Sequence, residues 1–298
     1  MIDMIYIAGY GRSGSTILDI LFDNNPNILG AGELGVFFEE ADKGTFENAG
    51  YEVWRGILTE FQQEYPHISL ADAAKITRRV EGIANLVQLT RENVSREYLQ
   101  NYREIWLTLI GLIRRHTHSH IIVDSSKTTR IVAGRVVALQ RLCGFQVHII
   151  HLVRDPRAVT WSAMRGSNRT LESGKNTARI GSQFLTPLSW LVANTTVHLI
   201  QSLYPTIARR LRYEDLMKEP LATLTQISKE WEVDLGAVLS RLQKHEPLQG
   251  GCGIAGNRLR REGVQHLQFD DEWQQKMPAY AKIPSMISCF PLAKIYGY

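Results

Sequence analysis

Gly9-Tyr10-Gly11-Arg12-Ser13-Gly14-Ser15-Thr16 follows the short apolar run Ile5–Ala8 and precedes Ile17-Leu18-Asp19-Ile20-Leu21-Phe22, which reads as a helix. A glycine-rich turn entering a helix N-terminus aims backbone N–H groups and the positive helix end at one point, a general anion site. Gly9, Gly14 and Thr16 fit the phosphate-loop pattern G-x-x-x-x-G-K-[ST], but Ser15 stands where the lysine belongs. Triphosphate chemistry loses its main cation there. Arg12 offers a guanidinium inside the loop instead, and its planar fork suits bidentate binding of phosphate or sulfate.

A second anion-binding pattern lies downstream. The run Val147–Val153 is nearly continuous in β-favouring residues, as a strand buried on both faces should be, and it ends in Arg154-Asp155-Pro156-Arg157-Ala158-Val159-Thr160-Trp161-Ser162. Ligands of α/β sheets bind at strand ends. Asp155-Pro156 starts a helix with proline at its first position, so Arg154 and Ser162 can face one phosphate. A third strand, Ile121–Asp124, runs into Ser125-Ser126-Lys127-Thr128-Thr129 and offers a lysine at its end.

The elements that must position these groups alternate between strand and helix. Ile5–Ala8, Ile121–Asp124, Val147–Val153 and the shorter Ala208–Arg212 read as strands separated by helical patterns, which predicts a parallel sheet covered on both faces. The expected fold is a three-layer α/β domain spanning 1–298, with a helical insert at about 40–118. Within the insert, Ser69 with Asp72 resembles a capping box before Ala71–Leu89. Ser95 begins a second helix reaching about His116, with Ile105, Leu109 and Leu112 on one face. Gly166–Gly181 is polar and unpatterned and reads as a loop. The insert either covers one sheet face or also walls an acceptor pocket.

Composition excludes several classes. The net charge of +4, without a basic run, is too small to imply nucleic acid or a membrane surface. Cys143, Cys252 and Cys289 are an odd, scattered set that fits neither a disulfide framework nor a zinc site, which suits a reducing cytoplasm. No stretch reads as a signal peptide or membrane span, so a cytoplasmic protein is expected.

Taken together and in order, Y-G-R-S-G-S-T followed by N-N-P, and then R-D-P-R-A-V-T-W-S, resemble the paired motifs of sulfotransferases that use 3′-phosphoadenylyl sulfate (PAPS). The resemblance covers most of the chain. It implies that Gly11, Arg12, Ser13, Gly14, Ser15 and Thr16 bind the 5′-phosphosulfate, and that Arg154 and Ser162 bind the 3′-phosphate. Tyr213, in Leu211-Arg212-Tyr213-Glu214-Asp215-Leu216, matches a tyrosine lying near the adenine. Gly256-Asn257-Arg258-Leu259-Arg260 is similar to a C-terminal segment that closes over the cofactor, which adds Asn257 and Arg260.

The resemblance also accounts for the missing lysine. PAPS has no γ-phosphate to clamp, its product is adenosine 3′,5′-bisphosphate, and its transfer needs no metal. The lysine of the family comes from elsewhere, the end of the strand read here as Ile121–Asp124, which makes it Lys127, and it meets charge on the leaving group. Members acting on steroids and phenols carry K-T-H with histidine as base, but Thr129 holds that place. The alternative resembles tyrosylprotein and many bacterial members, with a glutamate after the first helix, and Glu33 in Gly30-Ala31-Gly32-Glu33 matches it. The implied acceptor is a small molecule, in secondary metabolism, with Glu33, Lys127 and Arg12 catalytic. Competing readings are a small-molecule P-loop kinase and a module that only senses adenosine 3′,5′-bisphosphate. His148 and His151 sit within a strand and are expected to be structural.

Overall fold

The computed structural model describes residues 2–83, 95–128, 133–166, 181–256 and 259–298. Five parallel strands form one sheet: β1 Met4–Ala8, β2 Ile28–Gly32, β3 Ile121–Asp124, β4 Val147–Val153 and β5 Ala208–Arg212, in the order β2-β3-β1-β4-β5. β1 is central, and the chain builds outward on one side through β3 and β2 and on the other through β4 and β5. Such a reversal of strand order opens a crevice at the carboxyl ends of the strands.

The side chains of β1 alternate as a period of two demands. Met4, Tyr6 and Ala8 enter a core shared with Trp54, Phe61 and Trp106 of the insert, while Ile5 and Ile7 enter a core with Leu18, Leu21, Leu216 and Ile227. Both faces of the sheet are thus covered, and the expected three-layer α/β fold is present. In the insert, Ser69 caps Leu70–Glu81 by accepting a hydrogen bond from the Asp72 amide at 3.1 Å. That helix stops at Glu81 with Gly82 as its C-cap, short of the expected Leu89, and residues 84–94 lie outside those described. The helix after Ser95 runs Arg96–Thr117 and buries Ile105, Leu109 and Leu112, as their spacing predicts.

β2 is the strand that the sequence pattern did not announce. Two of its five residues are glycine, which weakens a strand, and both are required by close approaches. A Cβ at Gly30 would lie 2.6 Å from the Asp19 carboxylate, and one at Gly32 would lie 2.3 Å from the Ile254 carbonyl oxygen. The Ile254 amide donates to the Ala31 carbonyl at 2.9 Å, and the Glu33 amide donates back to the Ile254 carbonyl at 2.9 Å. The C-terminal segment therefore runs against the end of β2, where Glu33 begins.

Candidate active site

All five strands point the same way, so their C-terminal ends share one edge of the sheet, and each end carries a residue singled out in the sequence. β1 leads into Gly11–Thr16, β2 into Glu33, β3 into Lys127, β4 into Arg154 and β5 into Tyr213.

The loop after β1 is turned by positive φ at Gly9 (120°), Arg12 (67°) and Gly14 (92°). A Cβ at Gly9 would lie 2.3 Å from the Leu152 carbonyl oxygen, so only glycine lets the loop leave the sheet there. Helix α1, Ser15–Asp23, starts directly after Gly14, and its first intrahelical bond runs from the Leu18 amide to the Gly14 carbonyl. The amides of Ser15, Thr16 and Ile17 precede that bond and have no intrahelical acceptor. Ser15 and Ser13 are buried, Thr16 and Gly11 partly exposed, and Arg12 exposed. The Ser13 hydroxyl is buried without a hydrogen-bond partner. An orphaned hydroxyl in a turn of amides suits an anionic ligand.

Glu33 and Lys127 meet. Lys127 Nζ donates to Glu33 Oε1, with side chains 20% and 21% exposed respectively, and the lysine stem passes Gly11, whose added Cβ would be 3.8 Å from Lys127 Cδ. Lys127 holds a left-handed backbone conformation at φ 66°, uncommon outside glycine. Several bonds hold it there. Tyr6 Oη donates to the Lys127 carbonyl, the Thr128 amide donates to the Gly9 carbonyl at 2.8 Å, and the Ser125 amide to the Gly32 carbonyl at 2.7 Å. Asp124 Oδ1 accepts from both the amide (2.9 Å) and the hydroxyl of Ser126.

Beneath this segment lies a charged cluster that no local pattern foretold. Arg135 donates to Asp124 Oδ2 at 2.6 Å and to Glu81 Oε1, and stacks over Trp106 at 4.0 Å. All three charged side chains are 0% exposed. Tyr102 Oη donates to the same Glu81 oxygen at 2.7 Å, while Glu81 Oε2 is buried without a hydrogen-bond partner. Burial pushes the Glu81 carboxyl up to about 7 against the pull of Arg135. Burial disfavours the Arg135 cation, but the two carboxylates outweigh it and hold its pKa above the ordinary arginine value.

Arg154, only 5% exposed, joins the β4 edge to the loop: Nη1 donates to the Arg12 carbonyl at 3.1 Å, and the guanidinium lies 4.2 Å over the Tyr213 ring. Tyr213 in turn packs on Gly14, where a Cβ would be 2.6 Å from the ring. Nη2 meets Asp270, at 2.9 Å to its carbonyl and 3.1 Å to its carboxylate, while Nε is buried without a partner. Burial works against the Asp270 charge, yet Arg154 holds that carboxyl below its usual value. A ligand phosphate at Arg154 must compete with Asp270. Asp155 caps the helix Pro156–Met164 by accepting from the Arg157 amide at 2.8 Å, and Ser162 lies partly exposed within that helix.

Arg260 is turned inward and held by protein partners. It is 2% exposed, donates to Asp19 Oδ1 and, at 3.0 Å, to Ser125 Oγ, so its guanidinium supports the lysine segment from within. Asn257, Thr129 and residues 167–180 of the expected loop lie outside the described residues. His151 is fully buried, with Nε2 2.9 Å from Asn194 Oδ1, and burial lowers its pKa to about 4, in keeping with a structural histidine. Among the described residues no group of three His, Cys, Asp or Glu side chains is arranged to hold a metal ion.

The class defined by this fold and edge is an α/β protein with a phosphate-loop-like turn. The chain belongs to the sulfotransferase family, whose model matches residues 4–235. Its fold is similar to the sulfotransferase domain from the Synechococcus PCC 7002 olefin synthase, at 20% identity and a TM-score of 0.53 over 99% of this chain and 94% of that one. It is likewise similar to the sulfotransferase domain from the curacin biosynthetic pathway, at 20% identity and a TM-score of 0.54 over 98% of each chain. Comparison with curated proteins gives no match.

Proposed function

We propose that the chain transfers a sulfuryl group from PAPS to a hydroxyl or amine of a small-molecule acceptor, without a metal. The observation that carries this reading is the direct contact of Glu33 with Lys127 beside Gly11, on the edge where all five strands end. The loop amides, Arg12 and the unpartnered Ser13 hydroxyl suit the 5′-phosphosulfate, and Arg154 with Ser162 the 3′-phosphate. Tyr213, already stacked on Arg154, suits the adenine. A secondary-metabolite acceptor is in keeping with the curacin pathway that names one similar domain.

The donor supplies the activated sulfuryl group, and the protein's own residues do the rest. Glu33 takes the acceptor proton as general base. Lys127 presents its ammonium where negative charge arrives, so a donor that engages the lysine draws it from Glu33 and leaves that carboxylate open to the acceptor. Lys127→Ala is expected to slow transfer about 100- to 1,000-fold while weakening bisphosphate binding only modestly. Single-turnover rates at saturating PAPS check this, and a rate within a few-fold of wild type removes the lysine from the mechanism.

Arg154→Ala is expected to weaken adenosine 3′,5′-bisphosphate by about 1.5–3 kcal/mol, the worth of a charge-assisted hydrogen bond, and to narrow its advantage over the 5′-monophosphate. Equal affinity in calorimetric titration refutes the 3′-phosphate assignment. The reading as a whole is tested by titrating the wild-type protein, in EDTA, with adenosine 3′,5′-bisphosphate, and separately with Mg-ATP. A metabolite panel is then screened for PAPS-dependent mass gain. Preference for Mg-ATP with magnesium-dependent turnover points to a kinase, and tight bisphosphate binding without transfer points to a sensing module.

A further inference from the structure

The surface of the described residues is uneven. Of its thirteen exposed large hydrophobic side chains, six lie on the helix Ser182–Leu203 and six on the helix Ala279–Ile295. The two helices pack against each other: Tyr296 Oη, just past the second, donates to the Asn194 carbonyl at 3.2 Å, and Cys289 Sγ donates to the Pro187 carbonyl at 3.3 Å. Their inner faces are thereby used, yet each keeps an apolar outer stripe at helical spacing. Leu185, Leu188 and Leu199 form one stripe, and Ile283, Ile287 and Phe290 the other.

Area and charge together say what covers it. Twelve such side chains, each about half uncovered, present on the order of 1,000 Å² of apolar surface, whereas the largest patch on a typical monomer is about 300–600 Å². A stable interface needs about 800 Å² from each partner. Ser182–Leu203 contains no Asp, Glu, Lys or Arg, and Ala279–Ile295 contains only Lys282 and Lys294, in a chain that is 21% charged. Lys282 is turned back to the Gln274 carbonyl at 2.7 Å. A two-fold axis sets a patch against itself, so a patch whose one remaining charge is Lys294, 5.9 Å over the Phe290 ring, meets little like-charge penalty. A helix lying on a membrane carries Lys and Arg along its polar face, and Ser182–Leu203 has none. No helix among the described residues is long and apolar enough to cross a membrane.

We infer that the protein is a two-fold homodimer whose interface is formed by the helices Ser182–Leu203 and Ala279–Ile295. The inference is independent of the proposed reaction. The interface lies directly behind the β4 end: Trp190 Nε1 donates to the Arg154 carbonyl at 3.1 Å, and Ser285 Oγ bonds Thr160 Oγ1 at 3.1 Å. Pairing therefore braces the helix that follows Arg154.

Sedimentation velocity of the full chain, from about 1 to 100 μM, is the test. Wild type is expected to sediment as a dimer. Leu188→Glu and Ile287→Glu, at positions 52% and 71% exposed, should fold with an unchanged circular dichroism spectrum and sediment as monomers. The expected weakening is on the order of 100-fold in dissociation constant for a charge left unpaired in an apolar interface. A wild-type monomer throughout the range overturns the inference, as does a dimer that survives both substitutions. A monomer that pellets with phosphatidylglycerol vesicles assigns the patch to lipid instead, and a monomer captured by another protein assigns it to that partner.

Discussion

Glu33→Gln protein is expected to bind adenosine 3′,5′-bisphosphate like wild type and to transfer sulfate about 100- to 10,000-fold more slowly, the usual cost of losing a general base. Glutamine keeps the shape and the hydrogen-bonding reach of the side chain and removes its basicity and charge. The backbone of Glu33 is fixed independently, through its amide bond to the Ile254 carbonyl, so the substitution should leave the end of β2 in place. The side chain is about one-fifth exposed, which predicts little change in folding stability.

The loss should fall on turnover rather than on affinity, because the carboxylate acts only as the acceptor proton leaves. Removing the ion pair should, if anything, free Lys127 for an incoming anion and tighten bisphosphate binding slightly. Single-turnover transfer at saturating PAPS, paired with a bisphosphate titration, separates the two effects. Near-wild-type transfer by Glu33→Gln eliminates the glutamate as base. His151 is then a poor substitute, since it is wholly buried against Asn194 and the Tyr296 ring, and an acceptor amine already deprotonated becomes the better explanation.

What the sequence disclosed follows from how local each signal is. The β4 run and the Asp155-Pro156 cap concern neighbours in sequence, and the structure reproduces both. The Ser69 cap is as local, but the end of its helix is set by Gly82, inside a run that otherwise looked continuous. β2 was hidden because Gly30 and Gly32 obey partners far away, Asp19 on α1 and Ile254 near the C-terminus. Arg154 was legible as a residue at the end of β4, yet its neighbour Asp270 carried no signal, being 116 residues distant. Arg260 was visible as a residue type, but its buried partner Asp19 was not.

The same blindness hid Arg135, whose substitution carries the largest expected cost to folding. Glu81, Asp124 and Arg135 come from three separate segments, and charged residues are by default assigned to the surface. Arg135→Met keeps the bulk and leaves two wholly buried carboxylates facing each other without their cation. Breaking one member out of a buried ion pair costs about 3–5 kcal/mol. Burial already raises the Glu81 carboxyl against the pull of Arg135, so with the cation gone it should titrate at a still higher pH in the folded state than in the unfolded one. The folded state then binds more protons, so the variant should lose stability as pH rises and recover part of it towards about pH 5. Adding Glu81→Gln should restore part of the loss at neutral pH, because one uncompensated charge disappears while Tyr102 keeps a partner. Urea midpoints of wild type, Arg135→Met and the double variant at two pH values measure all of this, and a single variant within 1 kcal/mol of wild type, with no pH dependence, refutes the account. The consequence reaches the site through one carboxylate: Asp124 holds Arg135 with one oxygen and the Ser126 amide and hydroxyl with the other. Lys127 follows Ser126 in a conformation its own backbone disfavours, so the cluster that stabilises the fold also holds the lysine opposite Glu33.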